Sequence, residues 1–295
     1  MRNLCLSLLI VVAVVVAGCA GGAGTASTPT PSMPSVNEAV TPTPDDAVAA
    51  ETGQISIAGS TTVQPLAEKL AEVFVATNSG IRIDVAGGGS SSGVKAGGDR
   101  TVDIGMASRE IRASELETYP DLQIYEIAFD GIAIVAHLEV PVDELTLDEV
   151  RGIFAGEITD WSEVGGPNQP ITIISREEGS GTRGAFEELV MGETPITDRA
   201  IFQDSNGKVR TALTGTPYAI AYLSFGYVDD SVLIVAIDGV DPSVENVLNG
   251  SYPVVRPLNF VTGGEPESIV KLFLDWVFGD AGQAVVTDQG YIAVK

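Results

Sequence analysis

From about residue 53 onward the chain alternates short β-branched runs with polar, glycine-bearing turns and apolar residues at helical spacing. Ile171 to Ile174 predicts a buried strand, broken at Arg176-Glu177-Glu178-Gly179. A helix is expected from near Ser180 to Met191, with Ala185, Phe186, Leu189 and Val190 on one face and Gly192 where a C-cap belongs. The same order opens the body. Gln54 to Ala58 reads as a strand and Gly59-Ser60-Thr61-Thr62 as a turn. Val63, Leu66, Ala67, Leu70, Val73 and Phe74 then mark a helix with Pro65 in its first turn. Ile81 to Ala86 is a strand running into a glycine- and serine-rich loop from Gly87 to Lys95, and Val102 to Ala107 is a strand carrying Asp103.

Ile124 to Phe129 and Gly131 to His137 read as strands joined at Asp130-Gly131, where the chain crosses between lobes. Thr146-Leu147-Asp148-Glu149 is a capping box for a helix through Phe154. A short helix at Gly207 to Leu213, strands at Ala219 to Phe225 and Val232 to Ile237, and a returning strand at Tyr252 to Phe260 come after it. Ile269, Val270, Phe273, Leu274 and Val277 form the apolar face of a C-terminal helix. Strands alternating with helices imply α/β sheets in two lobes, with ligand loops at the carboxyl ends of the strands.

The 295 residues, 44% of them hydrophobic, suffice for a well-packed core. Sixteen Lys and Arg against 40 Asp and Glu leave a formal charge of −24. Nucleic acid is therefore excluded as a partner, because phosphate-backbone binding needs a basic face. A small anion is not, since local dipoles and one arginine hold it inside an acidic shell.

Residues 1–19 read as a lipoprotein signal peptide: Arg2 as the positive region, an apolar run from Leu4 to Ala17, and the lipobox-like Val16-Ala17-Gly18-Cys19. Cys19 is the expected lipid attachment, and Cys5 leaves with the leader, so the mature chain has no disulfide. Residues 20–52, rich in Ser, Thr, Pro and Gly, read as a disordered tether. Such a layout holds a globular body on the outer face of a membrane, through the lipid anchor only.

The candidate chemistry lies where helices start. Ser180, Gly181 and Thr182 stand at a helix N-terminus with free backbone N–H groups, and Arg176 is poised to point at the same spot. Gly59-Ser60-Thr61-Thr62 is a second such unit, for which plain N-capping is the competing reading. Gly87 to Lys95 is no P-loop, because Val94 stands after Gly93 where Lys and a hydroxyl residue are required. His137, Trp161 and Trp276 read as packing residues, and Arg109 as a salt-bridge partner. A serine hydrolase or phosphatase at Ser180 is the enzymatic rival, but Gly179-Ser180-Gly181 lacks the nucleophile-elbow spacing. No metal-ligand cluster and no cofactor motif stands out.

Gly59 to Leu66, Gly89 to Lys95, Asp103 to Arg109 and Arg176 to Thr182, with Asp238-Gly239-Val240 and Tyr252 to Thr262, together resemble the PstS family of phosphate-binding proteins. The resemblance implies a two-lobed type II periplasmic-binding-protein (Venus flytrap) fold of class α/β, each lobe a mixed sheet flanked by helices. Lobe 1 is then 53–129 with 257–295, and lobe 2 is 130–256. It implies a monomer that captures inorganic phosphate between lobes and delivers it to the permease subunits of an ABC importer; another oxyanion or a sensing role are the alternatives. Carried over position by position, the phosphate ligands are Thr61, Thr62, Ser90, Asp103, Arg176, Ser180, Gly181 and Thr182, with Ser60 an added donor. Asp103 would accept the proton that phosphate keeps and sulfate lacks, a discrimination of roughly 10⁴ in sites that demand a hydrogen bond.

Overall fold

The computed structural model describes residues 51–295; the leader, Cys19 and the tether through residue 50 lie outside the described residues. β1 (Gly53–Gly59), α1 (Gln64–Thr77), β2 (Ile81–Gly87), α2 (Ser90–Gly98), β3 (Ile104–Ala107) and α3 (Ala113–Thr118) lead into β4 (Leu122–Ala136). Next come β5 (Glu144–Leu145), α4 (Leu147–Ala155), β6 (Thr172–Arg176), α5 (Gly181–Phe186), β7 (Ile201–Gln203) and α6 (Asn206–Thr214). β8 (Ala219–Ser224), β9 (Leu233–Ile237), α7 (Val244–Leu248), β10 (Val255–Gly263), α8 (Ser268–Val277) and α9 (Asp280–Asp288) complete the chain.

The strands pair in the order β2-β1-β3-β10-β4-β8-β6-β7, with β9 on β4 and β5. β1, β2 and β3 are mutually parallel, as are β6, β7 and β8, while β4 and β10 run antiparallel to their neighbours. Instead of two strands meeting at Asp130-Gly131, β4 is one continuous strand of 15 residues. Residues 122–131 of it pair with β10, and 132–136 pair with β8 and β9. Its apolar run is buried throughout the second stretch, so no hydrophobic signal marks the crossing.

Each half of the sheet has its own core. Ile55, Ile57, Leu66, Leu70 and Phe74 pack with Ile104, Phe260, Phe273 and Val277 around β1, β3 and β10. Ile132, Ile134, Phe154, Trp161, Phe186 and Tyr222 fill one face of the other half, and Ile174, Val209, Leu213 and Leu223 the opposite face. Each fully buried side chain of this size contributes about 1.5–3 kcal/mol. The capping box forms as expected, with Thr146 Oγ1 accepting from Glu149 N at 3.2 Å and Glu149 Oε2 from Thr146 N at 2.8 Å. Trp161 is buried and donates Nε1–H to Tyr218 O at 2.8 Å.

Two further expectations change. The stretch from Gly87 to Lys95 is not a loop throughout, since α2 begins at Ser90. Its glycines read as flexible but serve packing: a Cβ on Gly93 would lie 2.3 Å from Met106 O and 2.8 Å from Gly59 Cα. Backbone thus packs on backbone where β1 and β3 end. The helix from Ser180 to Met191 also divides, α5 giving way to a π-helical turn over Glu187–Met191 that Gly192 N closes on Glu187 O at 2.8 Å. The wider turn buries Val190 and Met191 together and leaves Leu189 exposed, where a continuous helix would bury it. No helix among the described residues is long and apolar enough to cross a membrane.

Candidate anion-binding site

The parallel strands end together, and helices start from those ends, so short polar side chains converge on one buried seam. β1 delivers Ser60 to Thr62, α2 opens with Ser90, and β3 leads into Ser108 and Arg109. From the other half, β6 ends on Arg176, Ser180 caps α5 by accepting from Arg183 N at 3.3 Å, and β7 leads into Asn206. Ser60, Thr62, Ser90, Ser108, Arg176, Ser180, Thr182 and Asn206 are all buried.

The two sets touch. Thr62 Oγ1 lies 3.0 Å from Thr182 Oγ1, and Asn206 Nδ2 donates to both, at 2.8 and 3.4 Å. Arg176 Nη2 reaches Thr61 Oγ1 at 3.4 Å, while its guanidinium also donates to Gln203 O and Asp204 O at 3.1 Å each. Ser91 N donates to Gly179 O at 3.0 Å. Gly181 packs tightly on the other half: a Cβ there would sit 2.1 Å from Ser90 Oγ and 2.4 Å from Ser108 Oγ. Of the residues read from the sequence, Thr61, Thr62, Ser90, Arg176, Ser180, Gly181 and Thr182 therefore share this seam.

Two do not serve as expected. Asp103 stands just before β3, at the opposite end of the strands from the seam, and is exposed. Its Oδ2 accepts from Ser56 N and Ser56 Oγ, both at 2.7 Å, tying β1 to β3. An acid on the strand's entry side cannot face a ligand on its exit side, about four residues or roughly 13 Å further along. Ser60 lies at the seam but is committed to the protein. Its Oγ accepts from Thr62 N at 3.2 Å and Val63 N at 3.3 Å and donates to Ser108 Oγ at 2.9 Å, while its N–H donates to Met106 O. No donor remains, and Ser60 closes the turn that leads into α1.

The structure adds Asn206, Ser108, Asp130 and Arg256. Asp204-Ser205-Asn206-Gly207 is a third strand–polar turn–helix unit, obscured in the sequence because β7 has only 3 residues. Asp130 and Arg256 are direct cross-strand partners on β4 and β10, two opposite charges inside apolar strands. Arg256 Nε and Nη2 donate to Asp130 Oδ2 at 3.1 and 2.8 Å, and Phe225 N donates to Oδ1 at 3.2 Å. Burial pushes the Asp130 carboxyl up from its ordinary value, opposed by the Arg256 charge and hydrogen bonds. Burial pushes the Tyr222 hydroxyl up to about 12, so it stays a neutral partner to Ser175 Oγ at 2.8 Å. Arg109 is the salt-bridge partner expected, held by Glu115 at 2.7 Å. Among the described residues, Asn206 Oδ1 is a buried side-chain acceptor without a partner. No cluster of three His, Cys, Asp or Glu that could hold a metal occurs among them. Arg176 also pairs with Glu177, its Nη2 donating to Oε1 at 3.1 Å, as Arg256 does with Asp130. Buried and rich in N–H and O–H donors, the seam suits a compact oxyanion.

Comparison with known proteins points the same way. Residues 44–281 match the model of the PBP superfamily domain. The chain is 36% identical over 245 residues to the phosphate-binding protein PstS of Bacillus subtilis (strain 168), covering 82% of this chain and 81% of that protein. A candidate phosphate ABC transporter substrate-binding protein of Clostridium perfringens, solved with bound phosphate, superposes with a TM-score of 0.79 at 41% identity, covering 82% of this chain and 100% of that one. An ABC-type phosphate transport receptor of Vibrio cholerae gives 0.69 at 32%, covering 81% and 99%.

Proposed function

We propose, because this chain belongs to the PstS family within the PBP superfamily, that it captures inorganic phosphate in the buried seam and hands it to an ABC importer. The observation that carries the reading is the Thr62–Thr182 contact at 3.0 Å, with Arg176 reaching Thr61, which brings donors from both halves of the sheet to one point. Residues 53–129 with 257–295 form one lobe and 130–256 the other, with β4 and β10 as the crossing strands. Phosphate bound by Thr61, Thr62, Ser90, Arg176, Ser180, Gly181 and Thr182 favours the closed arrangement, which the membrane partner distinguishes from the open one. Asn206 joins this set: its unpartnered Oδ1 takes the proton-accepting part that Asp103 is too distant to play. The protein is a monomer tethered outside the cell through lipid on Cys19, and it binds without turning its ligand over. Ser180 Oγ is occupied as a helix cap, which supports binding over nucleophilic chemistry.

Another oxyanion is the second reading, favoured by one observation: the carboxylates beside the seam are already paired, Asp130 to Arg256 and Glu177 to Arg176. A neutral amide rejects sulfate less strongly than a free carboxylate does. Titration calorimetry of the protein with phosphate, arsenate, sulfate and molybdate separates the two. Phosphate bound more tightly than sulfate supports the proposal, and the reverse order overturns it.

A further inference from the structure

We infer that Arg256, held by Asp130, is the positioning residue of this site: it occupies the acceptor sides of the Thr62 and Ser108 hydroxyls and so turns the proton of Thr62 and, through Ser108, that of Ser90 toward the bound anion. The inference rests on the reading of the seam as an oxyanion site. Asp130 and Arg256 face each other across β4 and β10, with side chains 0% and 1% exposed. A guanidinium has five N–H donors, and all of Arg256's are placed within the protein. Nε and one Nη2 proton go to Asp130 Oδ2, the second Nη2 proton to Thr62 Oγ1 at 3.3 Å, and Nη1 to Ser108 O and Ser108 Oγ at 3.2 and 3.5 Å. None is left for a ligand, so Arg256 acts through its neighbours.

A hydroxyl has one proton and two lone pairs. Thr62 Oγ1 receives Arg256 Nη2 and Asn206 Nδ2, so its proton has only outward directions, to Thr182 Oγ1 or to an anion beside it. Ser60 Oγ receives two backbone N–H groups and must give its proton to Ser108 Oγ. Ser108 Oγ, also facing Arg256 Nη1, then points its proton at Ser90 Oγ, 3.4 Å away. Both relays end at the seam, on Thr182 and Ser90, the latter against Gly181. An anion arriving there meets protons already turned toward it, with no hydroxyl left to reorient. Without Arg256, Thr62 and Ser108 are free to present lone pairs to the anion.

The test is a double-mutant cycle read by phosphate calorimetry on the full protein, with Tm measured without phosphate. Arg256→Gln is expected to weaken phosphate binding about 10–100-fold and Thr62→Val about 10-fold. The double variant should bind no more weakly than Arg256→Gln alone, since the arginine acts through that hydroxyl. Losses that multiply, or unchanged affinity despite a lowered Tm, mean that Arg256 is merely structural and overturn the inference. If Arg256→Gln does not fold, Arg256→Lys takes its place in the cycle. Its ammonium keeps the charge beside Asp130, but its three donors leave a single nitrogen and cannot span Asp130, Thr62 and Ser108 as the planar fork does. A wild-type protein that ignores phosphate but binds sulfate or molybdate overturns the phosphate reading alone, and the same cycle run with that anion decides the role of Arg256. Binding of no oxyanion overturns both.

Discussion

The two ends of the same parallel strands carry opposite kinds of polar group. At the entry end of β3, Asp103 stands exposed to water and bonds to the half-buried Ser56 of β1. At the exit end, Thr62, Ser90, Ser108, Thr182 and Asn206 are buried, and their hydrogen bonds cross between the halves of the sheet. Both ends are polar breaks in an apolar pattern, but they adjoin different structure. Past the exit ends come helix starts, whose unpaired N–H groups and positive dipole ends favour anions. At the entry end an acid finds only a neighbouring strand to tie down. Polar residues in a strand should therefore be weighed by which end they occupy before their chemistry is considered.

The contrast breaks most sharply at Arg176. Arg176→Ala removes the charge that spans to Thr61 and should cost about 2–5 kcal/mol of phosphate affinity, as loss of a buried hydrogen-bonded charge does. Calorimetry that finds affinity unchanged would take Arg176 out of the site. Gly181→Ala comes next. Its methyl group would press on Ser90 and Ser108, and the overpacking should weaken binding by about 1–3 kcal/mol. Scattering should show a more open average shape in saturating phosphate; a variant as compact as the parent would contradict the role given to this contact.

Asn206→Ala tests the residue that the third helix start contributes. Loss of its bonds to Thr62 and Thr182 should cost about 1–2 kcal/mol of phosphate affinity, and the preference over sulfate should narrow. An equal loss for both anions would deny Asn206 the acceptor role. Asp103→Asn has the smallest expected effect on binding, within about 0.5 kcal/mol, because it lies at the entry end. Its signature should instead be a stability loss of about 1 kcal/mol in urea unfolding, from the weakened bonds to Ser56. A large change in anion selectivity would restore Asp103 to the site and undo the comparison.

Much was legible in the sequence. Apolar spacing announced α1, β6 and α8, the capping box announced α4, and the glycine-hydroxyl turns at Ser60 to Thr62 and Ser180 to Thr182 marked both helix starts. These signals are local: a helix start is written in the half-dozen residues that form it. Short elements carried too little pattern to read, which is why β7 and the Asn206 turn were missed, and glycines chosen for close packing at α2 imitated a loop. Which end of β3 faces the seam, whether Ser60 spends its proton on a neighbour, and that Asp130 meets Arg256 across β4 and β10 were decided only by the tertiary structure. The sequence lists donors and acceptors, but a hydrogen bond is settled by which groups, far apart in the chain, lie within about 3 Å of each other, and the pairing of strands and the packing of helices set that distance.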